Sequence, residues 1–319
     1  MRKIVFLIAA VLCFQPAVIS GAMAADEKKM EGVITVSGAW ALYPMAVKWA
    51  DEFKKIYPDV KIDITAGGAG KGMADALSGV VDIGMVSRDV YKEEIDKGAW
   101  WVAVTKDAVV PTISADNPFL DDILKKGAKK DAFIGVWIRE DVKYWEDLLG
   151  GDKKSRINAY TRSDACGAAE VWAKYLGKKQ EDLKGVGVYG DPGIAEAVRN
   201  DIFGIGFNNI NFAYDPNTKE QIKGIKIMPI DLNENGQIDT DEDFYANRDG
   251  IVNAIALGKY PSPPARDLYF VSKGKPAGDM VIKFLQWVLT DGQKYVSETG
   301  YIQLSAEKLR EQLDKTEAR

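Results

Sequence analysis

Three short glycine-bearing segments constrain this chain more than any other feature. They are Ser37-Gly38-Ala39-Trp40, Gly67-Gly68-Ala69-Gly70-Lys71-Gly72 and Arg162-Ser163-Asp164-Ala165-Cys166-Gly167-Ala168. Each stands where a run with strand character hands over to a run with helical character. At such a corner the first amides of the helix lack a backbone partner, the helix dipole adds partial positive charge, and glycine lets a ligand come close. Three of them imply an α/β chain equipped to hold an anion, although the corners carry almost no hydroxyl side chains.

The surrounding pattern agrees. Val33 to Val36 reads as a strand, and Ala46, Ala50, Phe53 and Tyr57 then recur at helical spacing, opposite Lys48, Asp51, Glu52, Lys54 and Lys55. Val60 to Thr65 is the next strand, Met73 to Leu77 the next helix and Val81 to Val86 a third strand, which makes βαβ units around a parallel sheet. A second lobe is expected from about Val109-Val110-Pro111, containing a helix over Ala168 to Leu176 and a turn at Gly190-Asp191-Pro192-Gly193. Near the end, Met280, Phe284, Trp287 and Val288 share one helix face that should pack on the first lobe, and the charged run from Glu307 to Arg319 reads as a solvated helix end.

These segments, in this order, resemble the phosphate-type solute-binding proteins of bacterial ABC importers. The resemblance rests on the Gly38 corner with Tyr43-Pro44 and Lys48-Trp49-Ala50, the Gly67 to Gly72 turn, Val81-Asp82-Ile83-Gly84-Met85-Val86-Ser87-Arg88, the Arg162 to Gly167 corner, and Gly258-Lys259-Tyr260-Pro261 through Leu268 to Gly274. It implies a two-lobed type II periplasmic binding protein fold, each lobe a mixed sheet flanked by helices. Residues 32–109 and 255–319 would form lobe 1 and residues 110–254 lobe 2, with the return crossover near Ala254 to Leu257. A small anion, phosphate or a related oxyanion, would be enclosed between the lobes and presented to a membrane permease, with no chemistry done on it. A monomer is expected.

Residues 1–24 read as a secretory leader: Arg2 and Lys3, an apolar run from Ile4 to Ala17, and Ala22-Met23-Ala24 as a small-x-small site cut after Ala24. The mature chain is therefore expected in the periplasm or outside the cell. Losing Arg2 and Lys3 moves the formal net charge from -5 to -7, so no basic nucleic-acid footprint exists. Cys166 is then the sole cysteine and no internal disulfide can form. The chain has no histidine, which removes the central residue of serine hydrolase, cysteine protease and zinc-import readings. The chain is read as a binding protein and not an enzyme.

Carried over position by position, the resemblance assigns ligand contacts to Gly38, Ala39, Trp40, Ala69, Gly70, Lys71, Ser87, Arg88, Arg162, Cys166, Gly167 and Ala168. The family's hydroxyl positions fall on Ala39, Trp40, Ala69, Lys71, Cys166 and Ala168, so five are groups that bond a phosphate oxygen poorly and one is a lysine. Each lost bond to a charged ligand forfeits roughly 1.5 to 3 kcal/mol. Either the ligand has changed, or tight phosphate binding has been lost and the chain serves as an exported scaffold or sensor. Arg88 is read as a ligand residue or as an ion-pair partner of Asp89 or Asp82. Trp40 is read as core or, with Trp100 and Trp101, as a wall for an organic anion, and Cys166 as a helix-terminal thiolate or a buried thiol.

A separate motif spans residues 231–242, Asp231-Leu232-Asn233-Glu234-Asn235-Gly236-Gln237-Ile238-Asp239-Thr240-Asp241-Glu242. It fits the twelve-residue EF-hand loop, with oxygen ligands at Asp231, Asn233, Asn235, the Gln237 carbonyl, Asp239 and Glu242 and the sharp turn at Gly236. A structural Ca2+ is expected there, the plainer alternative being an Asn-Gly turn in an acidic hairpin.

Overall fold

The computed structural model describes residues 30–152 and 154–317; the leader at 1–24 lies outside the described residues. Strand β1 (Gly32–Gly38) leads into helix α1 (Tyr43–Ile56), which carries Pro44 in its first turn and Lys54 and Lys55 in its last, and buries Met45, Ala46, Trp49 and Phe53 at three- and four-residue spacing. The buried stripe is rotated from the one expected: Trp49, read with Lys48 and Ala50 as a motif, is fully buried and donates its Nε1–H to the Gly292 carbonyl at 2.8 Å. Strand β2 (Val60–Ala66) alternates exposed residues with half-buried ones after the buried Val60, as an edge strand does, α2 runs over Ala69–Ser78, and β3 (Ile83–Val86) is buried along its whole length. A short α3 (Lys92–Asp96) precedes β4 (Ala99–Ser114).

Beyond β4 come α4 (Leu120–Lys126), α5 (Lys130–Ile134), α6 (Trp145–Leu149), β5 (Asn158–Arg162), α7 (Gly167–Tyr175), β6 (Val186–Val188), α8 (Gly190–Arg199), β7 (Gly204–Asn209), β8 (Ile225–Ile227) and α9 (Arg248–Ala256). Strand β9 (Ala265–Lys273), α10 (Asp279–Leu289) and α11 (Ala306–Glu317) complete the chain.

The strands run in the order β2-β1-β3-β9-β4-β7-β5-β6, with β8 also on β4. β1 is parallel to β2 and β3, while β9 is antiparallel to both β3 and β4. The second half pairs β4 antiparallel with β7 and β8, and β5 parallel with β6 and β7. β4 and β9 therefore belong to both halves, and the β4 register shifts between Ala103 and Thr105, where the strand crosses from one half to the other.

Two cores match this division. One gathers Ile34, Trp49, Phe53, Met85, Phe270, Phe284, Trp287 and Val288; the other gathers Val110, Phe133, Trp137, Trp172, Phe207 and Tyr260. The α10 face behaves as its pattern implies. Three expectations are corrected. Ala254 to Leu257 is no crossover but the end of α9, whose Ile251 and Ile255 lie in the second core; the chain returns along β9, with Ala265 in one core and Leu268 in the other. Gly190 to Gly193 opens α8 instead of making a free turn, Gly190 standing at φ +73°. The charged C-terminal run is not merely solvated: in α11, Gln312 and Thr316 are buried, the Gln312 Oε1 accepts from the Ala103 amide at 3.0 Å, and Lys315 lies over the Trp101 ring.

Candidate anion site at the lobe boundary

The three glycine corners meet. At the first, Gly38 has φ +134°, and a Cβ there would lie 2.7 Å from the Gly72 Cα, so only glycine lets the ends of β1 and α2 touch. The second corner folds onto it, the Gly67 and Gly68 amides both donating to the Gly38 carbonyl at 2.9 and 3.0 Å. The third comes from the other lobe: Cys166 precedes α7 and its Sγ accepts from the Ala169 amide at 3.4 Å. Gly70 and Ala165 join the lobes directly, the Gly70 amide donating to the Ala165 carbonyl at 3.0 Å.

Trp40, Ala69, Ser87, Arg162, Cys166, Gly167 and Ala168 line one small pocket there, joined by Asp191 and Asn209. Gly38, Ala39 and Gly70, expected as ligand contacts, are not among the lining residues, and the Ala39 amide is committed to the Met85 carbonyl at 2.9 Å. Side chains leave no room for a water molecule. Much of the closure comes from Trp40, whose ring sits 6.5 Å from Tyr43, 6.3 Å from Tyr189 and 6.4 Å from Phe212 by centroids. Its Nε1–H is buried without a partner. Trp100 and Trp101 lie away from the pocket, packed on the first core.

Arg162 is present at the pocket but fully engaged by acids. Its side chain is completely buried; Nε and Nη2 donate to the Asp164 carboxylate at 2.8 and 2.6 Å, and Nη1 donates to Asp191 at 2.6 Å. Asp164 also accepts from the Gly190 amide at 3.2 Å and Asp191 from the Asn209 amide at 2.9 Å. Burial opposes the guanidinium charge, but Asp191 and Asp164 hold Arg162 more firmly protonated than an ordinary arginine.

A second pair lies beside it. Arg266 Nε donates to Asp107 at 3.0 Å, Nη1 donates to the Gly167 carbonyl at 2.7 Å, and Nη2 bonds Asn209. Burial pushes the Asp107 carboxyl up to about 6, Arg266 opposing this and Asp191 adding to it. The boundary thus sets Arg162 and Arg266 against Asp107, Asp164 and Asp191, two cations against three carboxyl groups.

Two expected contacts lie elsewhere. Lys71 is exposed and pairs one helical turn on with Asp75, which also accepts from the Ser37 hydroxyl at 2.6 Å. Arg88 pairs with neither Asp89 nor Asp82 through its guanidinium and side-chain carboxylates; it grips Glu94 at 2.6 and 2.9 Å and lies 4.2 Å over the Tyr91 ring, lining a different pocket. Cys166 is a buried thiol and not a thiolate, since burial pushes it up to about 12 against the pull of Arg162. In the sequence, Asp107, Asn209 and Arg266 have no place in the site, and Asp191 only a place in a turn, because their partners lie far away in the chain. Asp164 stood inside a quoted corner, where an acid beside a buried arginine was the available signal.

In the 231–242 loop, Asp231 and Glu242 are 2% and 3% exposed. Asp231 accepts from the Asn235 and Gly236 amides at 3.1 and 2.8 Å, and Glu242 from the Leu232, Asn233 and Asp239 amides. Gly236 has φ +88°. Asp239 takes the side-chain amides of Asn233, Asn235 and Gln237, and among the described residues no three His, Cys, Asp or Glu side chains gather as a metal cluster.

Comparison with known proteins agrees with this architecture. A family model described as a PBP superfamily domain matches residues 23–292. The chain is 26% identical over 297 residues to a phosphate-binding protein PstS of Staphylococcus epidermidis, covering 91% of this chain and 84% of that protein. It is 28% identical over 285 residues to phosphate-binding protein PstS of Bacillus subtilis, covering 88% and 83%. A candidate phosphate ABC transporter substrate-binding protein with bound phosphate, from Clostridium perfringens, superposes with a TM-score of 0.70 at 22% identity, covering 86% of this chain and all of that one. The last match shows the shared fold, the two-lobed arrangement that the resemblance implies.

Proposed function

The chain belongs to the PBP superfamily domain family, and on that premise we propose that it is the solute-binding component of a phosphate-type ABC importer, taking a small oxyanion between its lobes and presenting it to a membrane permease. The observation that carries this reading is the convergence of three helix-opening corners from two lobes on one point, with Arg162 beneath them. The relatives, named as phosphate-binding proteins over most of their length, support it. Its role is binding and not catalysis.

The donors are unusual for a phosphate site. Ala69, Gly167 and Ala168, at the openings of α2 and α7 where the first-turn amides lack intrahelical partners, line the pocket together with Ser87 and with Trp40, whose Nε1–H has no partner. A ligand must move the Trp40 ring, and it reaches the Gly70 amide only by displacing the Ala165 carbonyl. Three carboxyl groups around two cations also oppose a highly charged anion. Phosphate should therefore bind more weakly than at a hydroxyl-lined site, each missing hydroxyl forfeiting roughly 1.5 to 3 kcal/mol. Calorimetric titration of the mature protein with phosphate tests this. Saturable binding weaker than micromolar is the expected result, and submicromolar affinity would refute the argument from missing hydroxyls.

A second reading, an exported scaffold or sensor acting through protein contacts, is favoured by the indole and carbonyl that fill the boundary. Native mass spectrometry of freshly purified protein separates the two. A retained small anion supports the carrier, and an empty chain that refuses every oxyanion supports the scaffold.

The remaining parts of the proposal are export through cleavage after Ala24, a monomeric state, and a structural Ca2+ in the 231–242 loop. Oxygen-only donors suit a hard cation, and the buried Glu242 with the Gly236 turn supports that reading. Binding would have to draw Asp239 away from the side-chain amides it now accepts.

A further inference from the structure

A second pocket, of about 410 Å³, draws its lining from both lobes and both crossover strands. Its charged residues are Arg88, Lys106, Lys174, Arg266 and Lys308 against Asp89, Glu170 and Asp267, an apparent excess of two cations. The pairings cancel that excess. Arg88 is held by Glu94 at 2.6 Å, Lys174 by Asp89 at 2.6 Å, Arg266 by Asp107 at 3.0 Å, and Lys308 by Asp267.

Two groups of opposite sign are left over. Lys106 stands opposite Asp267 in the β4–β9 ladder, yet Asp267 is taken by Lys308, and Lys106 has no carboxylate partner among the described residues. Glu170, in the first turn of α7, lies near the Tyr91 hydroxyl and within the field of Arg88, but no salt bridge holds it among the described residues. Tyr269 adds an aromatic wall.

One ammonium and one carboxylate, neither held in a salt bridge, in a pocket of ligand size match a dipolar molecule better than a simple anion. We propose that this pocket binds a small dipolar organic ligand of the amino-acid class, with its carboxylate on Lys106, its ammonium on Glu170 and its side chain against Tyr269. Lys106 comes from a crossover strand, Glu170 from the second lobe and Tyr91 from the first, so an occupant ties the lobes together. This pocket adjoins the lobe-boundary corner through Arg266, but Lys106 and Glu170 are not among the corner's lining residues, and the proposal stands whether or not that corner takes phosphate.

The test is a melting-temperature screen of the mature protein with the common L-amino acids at millimolar concentration, followed by calorimetry of the strongest binder. At least one should bind saturably, and its N-acetyl and methyl-ester derivatives, which lack the ammonium and the carboxylate charge, should each bind about tenfold more weakly. Lys106→Gln and Glu170→Gln should each weaken the parent by about tenfold, and the double variant Lys106→Glu with Glu170→Lys should recover part of the loss. Lys106→Gln should leave phosphate affinity at the other site unchanged. The proposal is overturned if no amino acid binds, if the N-acetyl anion binds as tightly as the parent, or if Lys106→Gln weakens phosphate and nothing else.

Discussion

The Gly70 amide of the first lobe donates to the Ala165 carbonyl of the second at 3.0 Å, so a backbone oxygen of the protein occupies the end of a helix-opening amide at the lobe boundary. The contact depends on glycine. A Cβ at position 70 would lie 2.8 Å from the Ala165 Cβ and 3.0 Å from its carbonyl oxygen.

Gly70→Ala should therefore wedge the lobes apart. Relieving that overlap by moving backbone costs about 1 to 3 kcal/mol of the closed arrangement. The expected result is a larger radius of gyration by small-angle X-ray scattering with little change in secondary structure by circular dichroism. An unchanged scattering profile would show that the boundary adapts locally and that this contact does not set closure.

Arg162 is the keystone of the charges beneath that contact. Arg162→Gln leaves Asp164 and Asp191 buried without their cation, the situation in which removal of one partner of a buried ion pair costs about 3 to 5 kcal/mol. Urea denaturation should show a loss of that order. Arg162→Gln combined with Asp191→Asn should recover part of it, because one uncompensated carboxylate is gone.

Much of this architecture is legible in the chain because its signals are local. Gly38, Gly68 and Gly167 mark three strand-to-helix corners, and the apolar α10 face announces its own packing. What escapes is set by pairing across the chain. Lys71 looks like a ligand residue until Asp75, one helical turn away, claims it. Arg162 looks free until Asp191, which precedes Pro192 in a run resembling a turn, arrives from the start of α8. Arg266 and Asp107 meet only because β4 and β9 pair antiparallel, and no spacing in the sequence reports that register.

The Cys166 thiol, raised from 9.0 to about 12 by burial, should resist alkylation in the native protein. At pH 8 iodoacetamide should modify it at least about tenfold more slowly than a free cysteine, and at the normal rate in denaturant. The sign of the pH effect follows. The folded state holds the thiol proton more tightly than the unfolded state, so between pH 9 and 12 stability falls as pH rises. Cys166→Ser should flatten that decline, whereas rapid native labelling would contradict the buried-thiol assignment.

Calcium should raise the melting temperature of the mature protein, and a chelator should reverse the rise. At a hundredfold excess over the dissociation constant the gain is about 2.7 kcal/mol. Asp239→Asn should abolish the response while leaving the metal-free protein folded, since Asp231 and Glu242 already close the loop through its amides. A chelator-insensitive melting temperature would reduce the loop to an acidic turn.

Trp40 decides between the carrier and the scaffold. Its indole contacts Tyr43 in its own lobe and Tyr189 and Phe212 in the other, and it stands at a position where the family resemblance places a hydroxyl. Trp40→Ser removes this aromatic bridge and supplies one donor to the pocket. Loss of the aromatic contacts should open the ligand-free protein, which scattering would register. If the indole is an obstruction, phosphate should bind at least about tenfold more tightly to Trp40→Ser than to the parent, the equivalent of one bond to a charged ligand. If phosphate binding instead weakens while scattering shows the lobes still closing on ligand, the indole is itself a ligand contact through its unpartnered Nε1–H, and the natural solute must present both an acceptor and an apolar face to it.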